Sequence, residues 1–445
     1  MNEEILKRYK HNSRMFFISY LFMGILSGIV NDTLITFLKQ AQPTIVNSYT
    51  IYTGIATLLT AGLVAAIVKM GYKKILVAGG VVSIAGLILI SFTRSWFSVS
   101  CITLVLILGL YLFDAVLPPF LTQYTTEDER DKVFSRTMYS NVAGMALASF
   151  TGGALIVWRF ASRLGIAYDQ AQALSTKTAE FTTAQNAAYI SAHTDVFLIF
   201  VVIAVLATIP LLLLKEVKED YAGHQDEKGK TKIDWRVLCN KYALLYLVYN
   251  GLIRFGASLI VPYFTIFLGT LGIDRATVSF LISLQTIAMV IFMMFSPWFS
   301  KKFGRVGAIS LLSAISVPFM LIIGNGDKFG GMMVLAVGAG LFFRAGFMNA
   351  ANPIVQSLPM EFVTKELRPA YSSVIFVSQA IVTILAGLFT AGFLFNENFL
   401  GDSGYRIAYY VTAVIYSIAI VILLTQFTKK FNRPQSENEE EEVAS

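Results

Sequence analysis

Long hydrophobic segments alternate with short polar turns along almost the whole chain. Twelve of these segments are long enough to cross a hydrocarbon layer of about 30 Å, for which a helix needs roughly 20 apolar residues. The first six are predicted at 15–38, 46–68, 75–92, 97–121, 138–158 and 195–214. The other six are predicted at 242–270, 277–300, 307–325, 331–356, 371–395 and 407–427. The pattern therefore predicts an all-α integral membrane protein with 12 transmembrane helices.

The longest polar stretch lies near the midpoint, where residues 215–241 contain 13 charged side chains among 27. It separates two sets of six hydrophobic segments. The sequence therefore predicts an amino-terminal six-helix half at 1–214, a cytoplasmic connector at 215–241 and a carboxyl-terminal half at 242–430. The end of the chain, 431–445, is acidic and of low complexity, and we expect it to be disordered.

Charge separates the two sides of the predicted membrane. Only 14% of the 445 residues are charged, against about a quarter in a soluble domain. The loops on one side hold 25 Lys and Arg residues and those on the other hold eight. The positive-inside rule then predicts cytoplasmic termini and connector in a multi-pass protein of the cytoplasmic membrane, in contact with the lipid bilayer. Because the net charge of +7 follows this alternation, it does not indicate a nucleic-acid partner.

A polar external segment at 159–194 stands apart from the short turns. It is too polar to span, and we expect a partly helical surface flap, with a lid over the external mouth as the alternative.

Two turns repeat across the connector. Thr126–Arg130 and Thr364–Arg368 both read Thr-x-acid-x-Arg, at an offset of 238. Gly71, followed by Lys73, corresponds to Gly304, followed by Arg305, at an offset of 233. Repetition at nearly one offset predicts duplicated six-helix halves, an architecture of transporters in which the solute binds between the repeats near the midplane.

These residues resemble the major facilitator superfamily. The turn between its second and third helices has a glycine followed by basic residues, although the aspartate that precedes them is replaced here by Val68 and by Lys301. Its fifth-helix antiporter motif is partly kept, without the proline. Asp32-Thr33 resembles a pattern of some drug–proton antiporters, but their fourth-helix arginine is absent. The gating and packing positions that the resemblance implies are Gly71, Lys73, Arg130, Gly144, Gly152, Gly153, Gly304, Arg305 and Arg368.

Four ionisable residues lie well inside predicted spans: Asp32, Asp114, Arg254 and Arg344, in the first, fourth, seventh and tenth segments. Each would cost about 2.5–3.5 kcal/mol at a helix centre facing lipid. They are therefore expected to face a water-filled path or one another. The resemblance implies the same, because these four helices line the central cavity in that superfamily.

Both acids lie in the first half and both arginines in the second. We expect Arg254 and Arg344 to bind an anionic group of the solute, since a guanidinium suits carboxylate or phosphate. A carboxylate that alternates between a dry site and the neighbourhood of an arginine would load and release a proton, which makes Asp32 the first candidate for coupling and Asp114 the second. The alternative is static ion pairs, above all between Asp114 and Arg344.

Polar residues near these charges are candidates to contact the solute, with hydrogen bonding between helices as the alternative. They are Asn31, Tyr52, Asn141, Asn250, Gln285, Asn349 and Gln379. No cofactor or metal site is expected, since the three histidines lie outside the predicted spans.

The sequence thus predicts a monomeric secondary transporter, proton-coupled, for a small and possibly anionic organic solute, and not an enzyme. A multidrug or lipid exporter is the first alternative. A non-transporting membrane receptor is the second.

Overall fold

The computed structural model describes residues 3–222, 240–363 and 368–432. The larger part of the predicted connector, most of the Thr364–Arg368 turn and almost all of the predicted acidic tail lie outside these ranges. The part of the chain that the structure describes is helical and contains no strand. Eleven helices are long and apolar enough to cross a membrane, and a twelfth, of 17 residues, is shorter but apolar. The predicted all-α membrane fold is confirmed.

Each predicted hydrophobic segment overlaps one long helix. They are α1 (Glu3–Ala41), α2 (Tyr49–Ala65), α3 (Tyr72–Phe92), α4 (Trp96–Gln123), α5 (Glu127–Leu164), α6 (Thr183–Leu212), α7 (Lys241–Ile260), α8 (Arg275–Met293), α9 (Arg305–Gly324), α10 (Met333–Ala350), α11 (Arg368–Phe389) and α12 (Ser403–Phe431).

Short helical pieces connect these helices. They are Pro43–Asn47, Ile67–Met70, Tyr168–Leu174, Ser175–Glu180, Glu219–Ala222, Val261–Tyr263, Phe264–Thr270, Ser296–Phe303, Gly326–Met332, Asn352–Ser357, Leu358–Glu361 and Thr390–Leu394.

The seventh predicted segment, 242–270, is not one continuous helix. The helix α7 ends at Ile260, a 3₁₀ turn follows at Val261–Tyr263, and a new α-helical piece covers Phe264–Thr270. Pro262 lies in this turn. A proline has no N–H to donate and its ring clashes with the preceding turn, which explains the break.

The helices form two compact units. The first contains the described residues up to 222 together with 264–283, and the second contains 240–263 and the described residues from 284 onward. Residues 264–283 therefore pack with the first unit, although in sequence they follow the connector. The predicted division of the chain into halves around 215–241 stays a prediction.

The two units repeat the same helix pairings. In the first, α1 packs against α5 and α6, and α3 packs against α4 and α6. In the second, α7 packs against α11 and α12, and α9 packs against α10 and α12. Because the first to sixth helices correspond in chain order to the seventh to twelfth, this pattern agrees with a duplicated six-helix motif.

The external segment is more ordered than a surface flap requires. The helix α5 continues to Leu164, and Gly165, at φ +66°, ends it in the left-handed conformation that glycine favours. Two short helices follow, and α6 then begins at Thr183, where Thr182 and Gln185 form a capping box. Residues 183–194 therefore belong to α6 and not to a loop.

The repeated glycine turn has the same conformation in both units. Gly71 has φ +83° and Gly304 has φ +73°, a region that side chains with a Cβ rarely adopt. Gly71 precedes α3, whose first turn is capped by a polar side chain just after α6. Gly304 precedes α9, whose first turn is capped by a polar side chain just after α12. These caps are Glu216 and Asn432.

Candidate transport site

A buried ion pair lies in the first unit. The guanidinium of Arg275, the first residue of α8, donates from Nη1 to Asp32 Oδ1 at 2.9 Å and from Nη2 to Asp32 Oδ2 at 2.8 Å. Nη2 also donates to the backbone oxygen of Asp32 at 3.1 Å. Asp32 is 1% exposed and Arg275 is 4% exposed. The pair is therefore bidentate and dry, the geometry in which guanidinium and carboxylate bind most strongly.

Two hydroxyl groups complete the coordination of the Asp32 carboxylate. Ser279, one turn after Arg275 on α8, donates to Oδ2 at 2.5 Å, and Thr265 donates to Oδ1 at 3.3 Å. Both carboxylate oxygens thus accept two hydrogen bonds each. These bonds help a buried carboxylate to offset the cost of removing its charge from water, while the buried Nε of Arg275 has no hydrogen-bond partner among the described residues.

Two glycines of α5 make room for this cluster. A Cβ on Gly153 would lie 2.5 Å from the backbone oxygen of Arg275, and one on Gly152 would approach Asp32 Oδ2 at 3.6 Å. Farther along, a Cβ on Gly144 would lie 2.8 Å from the backbone oxygen of Leu21 on α1. The glycines kept from the antiporter motif therefore lie where α5 comes closest to α1 and α8.

The external segment also holds the start of α8. Ser175 Oγ accepts a hydrogen bond from the backbone N–H of Arg275 at 3.1 Å. Gln172 donates to Asp274 Oδ1 at 2.9 Å, and the same carboxylate oxygen caps α8 by accepting from Ala276 N and Thr277 N. The segment thus fixes the backbone from which Arg275 reaches Asp32.

A histidine lies close to this cluster. His193 is fully buried in α6, with Nδ1 2.8 Å from the backbone oxygen of Tyr189 and Nε2 3.1 Å from Thr36 Oγ1 on α1. The prediction that every histidine lies outside the spans is wrong for His193. It missed this residue because α6 begins 12 residues before the hydrophobic segment that marks it.

Arg275 itself is the functional residue that the sequence reasoning missed. The charge pattern places it among the external loop residues, two positions before the eighth predicted segment. In the structure, Arg275 pairs with Asp32. Asp32 therefore lies in an ion pair, which was the alternative given for these charges, but its partner is Arg275, which the sequence analysis did not name.

Asp114 has different surroundings. Its carboxylate lies on an exposed position of α4 and accepts a hydrogen bond from the hydroxyl of Tyr20, on α1, at 2.8 Å. Tyr20 is 5% exposed. In the part of the chain that the structure describes, Asp114 forms no ion pair. A carboxylate held by one neutral donor can change protonation without breaking a salt bridge.

The second unit contains the two arginines predicted inside the membrane. Arg254 of α7 is partly buried and donates from Nε to Thr383 Oγ1, on α11, at 2.9 Å. Arg344 of α10 is 5% exposed and hydrogen-bonds to Tyr416 of α12, whose hydroxyl also lies in the electrostatic field of Arg254. Tyr416 is therefore a partner of Arg344 and lies within the electrostatic reach of Arg254.

An amide pair lies on the same helices as Arg254 and its threonine. Gln379 of α11 donates to Asn250 Oδ1, on α7, at 2.8 Å. Each residue is one helical turn from a member of the Arg254–Thr383 contact, which places both pairs on facing sides of α7 and α11. Guanidinium, amide and hydroxyl groups are thus brought together along one helix–helix contact.

The other predicted solute contacts are distributed over both units. Asn141 is buried and donates to the backbone oxygen of Tyr20, Tyr52 donates to Ser100, and Asn31 is exposed. In the second unit, Asn349 donates to the backbone oxygen of Ala345, and Gln285 is 9% exposed. Asn141, Tyr52 and Asn349 therefore already serve hydrogen bonds within or between helices, the alternative given for this group.

The basic residues of the two glycine turns also have defined partners. Lys73 donates from Nζ to the backbone oxygen of Leu214 at 3.0 Å. Glu216 accepts from the backbone N–H groups of Tyr72, at 2.6 Å, and of Lys73, at 3.2 Å. In the second unit, Arg305 forms an ion pair with Glu361. The side chains of Arg130 and Arg368 lie outside the described part of the structure.

Metal-binding side chains do not cluster. In residues 3–222, 240–363 and 368–432, no three His, Cys, Asp or Glu side chains lie close enough together to hold a metal ion.

A sequence model described as the Major Facilitator Superfamily matches residues 187–387. A crystal structure of the nucleoside transporter NupG, in a single-site mutant form, superposes with a TM-score of 0.71 at 14% identity, over 93% of this chain and 99% of that one. The chain has the major facilitator fold. The resemblance predicted from its sequence is confirmed at the level of the fold, and the long apolar helices support a multi-pass membrane protein.

Two further solved structures share the major facilitator fold with this chain. A crystal structure of a D-xylose–proton symporter superposes with a TM-score of 0.70 at 12% identity, over 96% of this chain and 98% of that one. A bacterial homolog of the human lysosomal transporter Spinster, inward-facing and occupied, gives a TM-score of 0.65 at 12% identity, over 96% and 98%. No curated protein matches the sequence.

Proposed function

We propose that this major facilitator protein is a proton-coupled secondary transporter that moves a small organic solute bearing an anionic group across the cytoplasmic membrane by alternating access. Its termini lie in the cytoplasm, as the excess of Lys and Arg on that side indicates. Arg254 and Arg344 bind the anionic group, and Asp114 carries the proton.

The charge balance of the second unit carries the anion proposal. Arg254 and Arg344 lie in the interior of its membrane-spanning helices, whereas Arg305 and Arg406 lie in the first turns of theirs and pair with Glu361 and Asp327. Its described acidic residues are Asp327, Glu361, Glu397 and Asp402, and all four lie in turns or at the ends of helices. Two positive charges in a low-dielectric environment are expensive. A solute carboxylate or phosphate would offset that cost while it binds.

The surroundings of the two acids favour Asp114 over Asp32 as the proton carrier. Asp114 is exposed and accepts one hydrogen bond, from the neutral Tyr20 hydroxyl. Asp32 is held in the ion pair with Arg275, and protonating it would require that pair to break. The similarity in fold to a D-xylose–proton symporter supports coupling to protons.

Asp32 and Arg275 then act as a positioning pair. Residues 264–283 pack with the first unit, but at both ends they continue into chain that belongs to the second, at Tyr263 and at Leu284. A conformational cycle that moves α7 and α8 would therefore pull on this ion pair and strain it. We propose that it holds the start of α8 against α1 in one state of the cycle.

A second candidate is an uncharged, hydroxyl-rich solute. The amide pair of Asn250 and Gln379 is the observation that favours it, because amides donate to and accept from hydroxyl groups. The solved structures of similar fold include a nucleoside transporter and a D-xylose–proton symporter.

Transport by purified protein in liposomes separates these functions. A pool of radiolabelled organic acids, their uncharged amides or alcohols, and lipophilic cations is offered to vesicles with and without a pH gradient. The proposal predicts accumulation of an acid that the gradient drives and that Arg254→Gln abolishes. Accumulation of an uncharged member only, unaffected by Arg254→Gln, would support the second candidate instead. Accumulation of lipophilic cations only would indicate drug export.

A further inference from the structure

A second binding site lies in the first unit, away from the arginines and acids described above. A cavity of about 570 Å³ opens between the start of α1, the end of α4 and the start of α5. We propose that it binds the phosphate headgroup of an anionic phospholipid from the cytoplasmic leaflet. The recognised group is a phosphate ester, and we propose that it belongs to a lipid and not to a free anion.

Three basic side chains line this cavity: Lys10, Arg14 and Arg136. All three are exposed, and none forms an ion pair with an acidic side chain that the structure describes. Their neighbours on α1 differ, because Lys7 pairs with Glu3 and Arg8 pairs with Asp220. The cavity thus collects the cations of this region that have no acidic partner within the described part.

The guanidinium of Arg136 is held in place by an aromatic ring. Its Cζ lies 4.7 Å above the centre of the Phe17 ring. This cation–π contact places the guanidinium over the ring, and the N–H fork of an arginine suits two oxygens of a phosphate. Arg14 and Lys10 lie one turn apart on α1, so their side chains emerge on the same face of the helix.

The rest of the lining is apolar. Leu6, Phe17, Ile18 and Val133 share the cavity with the three cations. Inorganic phosphate has no apolar part that could contact these side chains, whereas a phospholipid would place the first carbons of its acyl chains against them. The combination of cations with apolar side chains is therefore the chemistry that recognises an anionic amphiphile.

The position along the helices agrees with this ligand. The predicted hydrophobic segment 97–121 ends in α4 and the segment 138–158 begins in α5. The cavity, lined by Tyr124, Val133 and Arg136, lies between these segments at the polar turn. Phospholipid phosphates occupy that level of a bilayer. Assigning it to the cytoplasmic leaflet rests on the proposed orientation of the chain.

Native mass spectrometry of the full-length protein tests the site. The detergent-purified protein is titrated with phosphatidylglycerol or phosphatidylcholine, and the lipid-bound fraction is measured. One variant carries Lys10→Gln, Arg14→Gln and Arg136→Gln together. The matched control carries Lys69→Gln, Lys74→Gln and Lys301→Gln, three exposed lysines predicted on the same side and outside the cavity. Arg14→Gln alone provides a milder change.

The proposal predicts that wild type and control bind phosphatidylglycerol in preference to phosphatidylcholine. Each basic residue near a membrane surface contributes about a fivefold factor, so the triple variant should bind phosphatidylglycerol about a hundredfold more weakly. Arg14→Gln alone should weaken it about fivefold. Inorganic phosphate added in excess should not displace the lipid.

Equal binding by the triple variant and the wild type would overturn the site, as would an equal loss in the control. Displacement of the lipid by inorganic phosphate would show that the cavity serves a free anion and not a lipid. None of these readouts involves transport, so the result is independent of the proposed solute and coupling.

Discussion

Asp32 and Arg275, separated by 243 positions in the sequence, form a bidentate ion pair that is buried in the first unit. Arg275 begins α8, and the segment that carries it lies between residues of the second unit in sequence. The ion pair therefore holds residues 264–283 in the first unit, although their position in the sequence would assign them to the second. The strength of the ion pair determines how firmly these residues are held.

Removing one member of this pair should be costly. Arg275→Met leaves a buried carboxylate without its counterion, and we expect a loss of about 3–5 kcal/mol of stability. The double variant Asp32→Asn with Arg275→Met removes both charges and should regain most of that loss. Unfolding in mixed micelles with increasing sodium dodecyl sulfate measures both. A double variant whose loss equals the sum of the two single losses would contradict this account of the pair.

The two glycines beside the pair give a second prediction. Gly153→Ala would bring a Cβ to 2.5 Å from the backbone oxygen of Arg275, and α5 or α8 would have to shift. We expect a loss of about 1–3 kcal/mol. Gly62→Ala is the matched control, because no atom lies within 4 Å of a Cβ there and alanine favours the helix. Thermal unfolding of the two variants in one detergent should move in opposite directions; equal shifts would refute the proposed close packing at Gly153.

The two acids can be told apart by transport assays. Asp114→Asn should abolish accumulation driven by a pH gradient while counterflow exchange of the same solute continues, because only proton loading is lost. Asp32→Asn should lower both activities together, since it weakens the contact that positions α8. Tyr20→Phe, which removes the donor to Asp114, should shift the pH profile of uptake without changing exchange. Accumulation retained by Asp114→Asn would exclude it as the proton carrier.

Glu216 gives a prediction about pH. Burial raises the pKa of its carboxyl, against the effect of the two backbone N–H groups of α3 that donate to it. A raised pKa in the folded state means that folding favours the protonated form, so this contribution to stability is full below the usual glutamate pKa of about 4.3 and is lost as pH rises through the higher folded value.

Glu216→Gln lacks that contribution. Its melting temperature relative to wild type should therefore rise by a few degrees from pH 4 to pH 8. Glu219→Gln, at an exposed position three residues on, should show no such trend. A pH-independent difference between Glu216→Gln and wild type would contradict the assignment of this titration to Glu216.

Hydropathy predicted the fold well because each membrane-spanning helix must satisfy its backbone internally and must be apolar over its length. All twelve segments are present as helices, and the repeated glycine turn at Gly71 and Gly304 has the same left-handed backbone in both units. Short-range signals of this kind are local, and a single sequence contains them.

Long-range pairing was not predictable in the same way. Arg275 is two residues from a hydrophobic segment, and nothing in its neighbourhood distinguishes a loop arginine from one that folds back onto Asp32. His193 was missed because the polar first turns of α6 resemble a loop. The break in α7 could have been predicted from Pro262, since a proline inside a helical pattern ends or bends the helix.

In the proposed mechanism, Arg254 binds the anionic group of the solute. A thermal-shift screen tests this binding, with matched pairs of organic acids and their amides and a set of lipophilic cations as ligands. It uses wild type, Arg254→Gln and, as control, Arg406→Gln from the exposed ion pair with Asp327. We expect an acid to stabilise wild type and the control but not Arg254→Gln, and its amide to stabilise none of them. Stabilisation by amides or by lipophilic cations, unchanged in Arg254→Gln, would contradict this claim.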